Sequence, residues 1–152
     1  MKNILMILLL PLLFACEDDN PSIYSNNDDK YFPEDSIMNV DVTYVYDGDT
    51  FAFYENSVQF KVRVLKIDCF ETSKNSRLSD QAEKAGISVD SALTLGIKGR
   101  EYADSVLKGN EVTLIKDKYA PNTDDYDRLL RIVEVNGERY DSLLTEEHLT
   151  VN

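Results

Sequence analysis

Hydrophobic positions follow two periodicities along the chain. Val40, Val42, Tyr44 and Tyr46 alternate with more polar neighbours, the period-two pattern of a half-buried strand. Asp47-Gly48-Asp49 makes a turn, Thr50 to Tyr54 resumes strand character, and Glu55-Asn56-Ser57 turns again. Phe60, Val62 and Val64 share one face of a third strand, with Lys61, Arg63, Leu65 and Ile67 on the other. Three strands joined by short turns predict a meander. Beyond Thr72 the pattern changes. Ser73 to Gly86 is polar and partly helical, and Ser88 is an N-cap for a helix running to Leu107, closed by Gly109 at C′. Leu95, Gly99, Tyr102, Ala103 and Val106 give that helix an apolar face. Val112 to Lys116 and Leu129 to Val135 are further strands, separated by a polar loop over 117–127. Asn136-Gly137 is a hairpin turn, and a short helix begins at Asp141. Five short strands interrupted by one long helix predict an α+β, mainly β domain. The pattern fits the OB-fold, a five-stranded Greek-key barrel, with one long helix and a short C-terminal helix.

The first residues follow neither period. Lys2 precedes an almost continuous apolar run from Ile4 to Phe14. Eleven helical residues would span roughly 16 Å against a bilayer core of about 30 Å, which predicts a signal peptide over 1–15 and not a membrane-spanning helix. Leu13-Phe14-Ala15-Cys16 resembles the lipobox of bacterial lipoproteins. That resemblance implies a lipid on Cys16, an anchor in the cell envelope and an outer-membrane address. Glu17-Asp18-Asp19 is similar to an acidic export tag of surface lipoproteins. Residues 16–36 read as an acidic tether, too poor in large apolar side chains to offset the entropy of ordering, and 37–152 as one domain.

Charge and rare residues then restrict the chemistry. The chain of 152 residues carries 28 acidic against 16 basic side chains, net −12. A protein that coats nucleic acid needs a basic footprint, so that class is disfavoured. One histidine, His148, excludes a multi-histidine metal site and reads as a helix-end residue. Two cysteines exclude a disulfide scaffold, and Cys69 reads as a small buried apolar residue. Any metal must therefore be held by oxygen, which points to a hard cation such as calcium or magnesium.

Three charged clusters stand at strand ends: Asp47-Gly48-Asp49-Thr50, then Arg63 with Asp68 and Glu71, then Tyr126-Asp127-Arg128. Arg63 lies fourteen residues after Asp49, Asp68 five further on, and Glu71 three beyond that. In this combination residues 40–151 resemble the staphylococcal nuclease-like (thermonuclease) domain family. The resemblance implies a Ca²⁺ held by Asp49, Asp68 and the backbone carbonyl of Cys69. It makes Glu71 the general base or the group that orients the attacking water, and has Arg63 and Arg128 clamp the phosphate. Asp47 would brace the metal turn from behind, beside Thr50, and Tyr126 or Tyr119 would stack on bases. The implied reaction is calcium-dependent hydrolysis of DNA and RNA without sequence preference, leaving 3′-phosphate ends outside the cytoplasm, by a monomer. A binding module with a weakened site on the same barrel is the alternative. The chemistry suits these residue types, because phosphodiester hydrolysis needs a cation on a non-bridging oxygen, a positioned water and positive charge on the developing transition state. Guanidinium forks match paired phosphate oxygens where lysine would not.

The sequence also departs from the family pattern. Phe70 stands where proline is usual, Asp127 where glycine is usual, and Asp125 where lysine is common. About thirteen residues are inserted between Asn75 and Leu95, resembling an extra helix of bacterial relatives. The family's tyrosine-bearing C-terminal segment has no counterpart before Asn152, which leaves stacking to Tyr126 or Tyr119.

Overall fold

The computed structural model describes residues 37–151. The signal peptide, Cys16 and the tether lie outside the described residues. Those described form a mixed sheet of seven strands with three helices.

Two short strands, β1 (Ile37–Val40) and β2 (Val42–Val45), stand where the periodicity predicts one continuous strand, and the break falls at the exposed Asp41. The chain changes partners there. β1 pairs with β5 (Val112–Ile115), whereas β2 pairs with β3 (Thr50–Glu55). A register shift between Val42 and Tyr44 also overturns the expected alternation: Val45 turns into the core at 2% exposure and Tyr44 turns out at 45%.

β3 and β4 (Val58–Val64) form a hairpin closed by Asn56 and Ser57, whose φ angles of 49° and 66° suit the turn that matches strand twist. β4 runs parallel to β6 (Leu129–Val135), and β5 runs antiparallel to β6. The order is β1-β5-β6-β4-β3-β2, with the two-residue β7 (Glu138–Arg139) added to β6 across the Asn136-Gly137 turn. The outermost strands of this path, β1 and β2, are one residue apart in the chain.

Three helices are present, the partly helical stretch after Thr72 forming one beside the long helix and the short C-terminal helix expected. α1 (Ser76–Ala85) fills the inserted stretch, capped by the Asn75 side chain and ended by Gly86 in the left-handed conformation. α2 (Val89–Leu107) starts at Ser88 as its side-chain pattern predicts. α3 (Tyr140–Glu146) follows β7, and His148 sits just past its end at φ 55°.

The main core gathers Phe51, Phe53, Val62, Val64, Leu114 and Leu144. A smaller cluster of Phe70, Leu78, Ala82, Ala92 and Val151 joins α1 and α2 to the segment after β4. Gly96 allows this junction, since a Cβ there would fall 2.1 Å from the Glu71 carbonyl oxygen.

Candidate functional site

The turn between β2 and β3 is built by its own carboxylates. Asp49 N–H donates to Asp47 Oδ1 (3.0 Å), closing the turn. Gly48 backs directly onto Cys69, with 2.7 Å from its would-be Cβ to the sulfur, so no larger residue fits. Its carbonyl accepts from the buried Tyr140 hydroxyl of α3 at 2.8 Å. Asp49 is 4% exposed, and its two oxygens accept from the Cys69 N–H (2.5 Å) and the Thr50 hydroxyl (3.1 Å).

Arg63, at the end of β4, gathers the acids. It forms an ion pair with Asp49, and its Nη2 donates to Asp68 Oδ1 at 3.0 Å and to the Ile67 carbonyl at 3.1 Å. Arg63 Nη1 is the buried atom of that guanidinium that faces Asp49 Oδ1 in the ion pair.

Burial pushes the Asp47 carboxyl up to about 7, and the neighbouring Asp49 charge adds to the effect. Burial also pushes the Cys69 thiol up, reinforced by Asp49 and then Asp47, so this cysteine is neutral and unreactive.

The third cluster comes from the loop ahead of β6. Asp124 accepts from the backbone N–H groups of Tyr126 and Arg128 (3.0 Å each) and from Arg128 Nε at 2.7 Å. Arg128 Nη1 reaches Thr50 Oγ1 at 3.4 Å, so the loop meets the first turn. Asp127 has φ 57°, the left-handed region where glycine is favoured and aspartate is better tolerated than most residues. The loop is pinned from below by two buried cations. Lys116 Nζ donates to the carbonyls of Asp117 and Ala120 (2.8 and 2.6 Å), and Arg131 donates to the carbonyl and side chain of Asn122 (3.1 and 2.8 Å).

These elements surround one cavity of about 360 Å³. Asp47, Asp49, Thr50, Arg63, Cys69, Glu71, Tyr126 and Arg128, all singled out by sequence, line it together. Asp68 reaches the group through Arg63. Tyr119, 85% exposed beneath the Lys118 ammonium, does not line the cavity.

Sequence reading missed four participants. Tyr46 and Lys61 line the cavity, their ring and ammonium 5.0 Å apart. Arg77 of α1 forms ion pairs with Asp68 (2.7 Å) and Glu71 (2.9 Å). Gln81, one turn later and 5% exposed, clasps the 68–71 segment. Its Nε2 donates to the Cys69 carbonyl (2.8 Å) and Asp68 Oδ2 (3.2 Å), and its Oε1 accepts from Glu71 N–H (2.9 Å). Arg77 and Gln81 are an i, i+4 pair of polar side chains adjoining the buried Leu78 and Ala82, and that pair was the available signal.

The oxygen donors suit a calcium ion. Asp49 and Asp68 converge on one guanidinium, and the Cys69 carbonyl lies beside Asp68 in the chain. Among the described residues no three acidic, histidine or cysteine side chains come together for a metal. Two carboxylates and a carbonyl are the oxygen donors such an ion would have to use; both carboxylates pair with Arg63, and the carbonyl accepts from Gln81 Nε2.

No family model matches the chain. A curated relative, the uncharacterized protein MJ1439 of Methanocaldococcus jannaschii, is 27% identical over 146 residues, spanning 88% of this chain and 70% of its own length.

Proposed function

We propose that the protein is a calcium-dependent phosphodiesterase that cleaves DNA and RNA on a thermonuclease-type domain. The observation that carries this reading is the meeting of Asp49, Arg63, Glu71 and Arg128, from four separate segments, around one cavity. The strand order supports the fold that goes with it. β1 and β2 would be two halves of one strand bent at Asp41, closing a five-stranded OB-type barrel. Export and lipid attachment at Cys16 belong to the same proposal, and place the activity at the cell envelope.

Arg63 and Arg128 approach the cavity from neighbouring strands and bind the phosphate as paired forks. Glu71 holds its carboxylate at the cavity wall, where it accepts a proton from water or orients the water for attack. Asp49, Asp68 and the Cys69 carbonyl would hold the Ca²⁺, which supplies Lewis-acid polarisation of the phosphate when bound. Asp124 sets the direction of Arg128, and Tyr126 offers a ring for a base beside it.

A digest of plasmid DNA and of RNA tests the reading. Fragments should appear with Ca²⁺ and their production should stop with EGTA. Folded protein that leaves both substrates whole, or cuts equally in EGTA, overturns it.

A further inference from the structure

The cavity has an aromatic ring on both flanks, and one of them has no part in the reading above. In the strand order β6, β4, β3, β2, the loop before β6 brings Tyr126 and Arg128 from one side. Tyr46, the residue following β2, comes from the other, with Arg63 on β4 between them. Each ring carries a cation: the Arg128 guanidinium lies 5.4 Å from the Tyr126 centroid, and the Lys61 ammonium 5.0 Å from that of Tyr46. Tyr44 backs Tyr46 edge to face, with centroids 4.7 Å apart and planes at 65°.

Tyr46 is half-buried and held by this packing, whereas Lys61 is exposed on a long side chain. A fixed ring under an exchangeable ammonium is a covered stacking surface. A stacked nucleobase binds a tyrosine face more strongly than an exposed ammonium does. A base would therefore displace the cover, and the released ammonium would remain within reach of the adjoining phosphate. Charge favours the same ligand. Residues 37–152 hold 21 acidic and 14 basic side chains, yet Lys61, Arg63, Arg77 and Arg128 all line this cavity. A polyanion that also presents flat rings satisfies both features.

We propose that Tyr46, backed by Tyr44 and covered by Lys61, is a second base-stacking position, so that the cavity grips a single strand by the bases on both sides of the phosphate at Arg63. The proposal rests on the nucleic-acid reading and deepens it. The ligand is an unpaired strand of at least two nucleotides, because rings on opposite flanks need bases splayed apart, which a duplex withholds.

Fluorescence anisotropy of the full chain with a labelled, phosphorothioate-linked thymidylate hexamer in Ca²⁺ tests it. Tyr46→Leu should weaken binding at least about five-fold, the lower end of the effect of losing a stacked base. Tyr46→Phe, which keeps the ring, should bind like the wild type. On an abasic strand of the same length and linkage the Tyr46→Leu loss should vanish, since only phosphate contacts remain. Wild-type affinity in Tyr46→Leu, or an equal loss on both strands, overturns this position while leaving the nuclease reading intact. A wild type that neither binds the hexamer nor digests nucleic acid removes both.

Discussion

At the level of single residues, the turn before β3 holds like charges in close quarters. Asp47 and Asp49 share it, and burial together with Asp49 raises the Asp47 carboxyl to about 7 from an unfolded value of 3.8. Between those values the folded state binds more protons than the unfolded one, so stability falls as pH rises from about 4 to about 7. Asp47→Asn removes this fall. In EGTA, its melting temperature should exceed that of the wild type increasingly across that window and match it near pH 4; parallel curves for the two proteins would refute the assignment. Asp127 raises a backbone question. Its left-handed φ of 57° is a conformation that glycine adopts at no steric cost. Asp127→Gly should melt within a few degrees of the wild type, whereas Asp127→Val should lose about 1–2 kcal/mol by urea unfolding, because a β-branched side chain resists that conformation. Equal stability of the two variants would show that the loop does not enforce the angle.

Among the elements, α1 has the most to do with the site. A proline at position 70 would stiffen the 68–71 segment; Phe70 is instead buried against Leu78 and Ala82 of α1. Gln81 then ties the same segment at three points, so a helix supplies the rigidity that a ring would have given. Gln81→Ala should cost about 2 kcal/mol in urea unfolding, because it leaves a buried carbonyl and N–H unpaired, and should also weaken Ca²⁺ binding measured by calorimetry. Arg77→Ala should cost less than about 1 kcal/mol, since its ion pairs are half-exposed. A Gln81 variant as stable as the wild type would remove the splint from the account. The helix itself shows where sequence pattern reaches its limit. Ser88 and Gly109 bracket α2 in the sequence, and β6 has the bounds that alternation predicts, because caps and period-two burial are local signals. Asp41 is different. The pattern from Val40 to Tyr46 looks continuous, and the break arises from a change of partner between strands far apart in sequence. Arg77 and Gln81 were hidden for the same reason, since their partners lie on another element.

For the whole molecule, acidity and the proposed ligand stand in opposition that distance resolves. The domain's excess of carboxylates repels a polyanion, while four cations line the cavity where the phosphate would sit. If Lys61, Arg63 and Arg128 each neutralise one phosphate, the logarithm of single-strand affinity should fall against that of salt concentration with a slope near −2. A slope near zero would mean that binding is not ionic. A much steeper one would mean that a wider basic surface takes part.

The hydroxyl of Tyr140 on the Gly48 carbonyl, 92 positions away, and the Val151 N–H on the Asp68 carbonyl (2.7 Å) make the site depend on residues that never touch the cavity. The two turns that carry the carboxylates are completed by residues 140 and 151, which follow every residue lining the cavity. A chain lacking residues 140–151 keeps Asp49, Arg63, Asp68, Glu71 and Arg128 but neither of these two contacts. Truncation before residue 140 should therefore loosen both turns although it removes none of the residues that line the cavity.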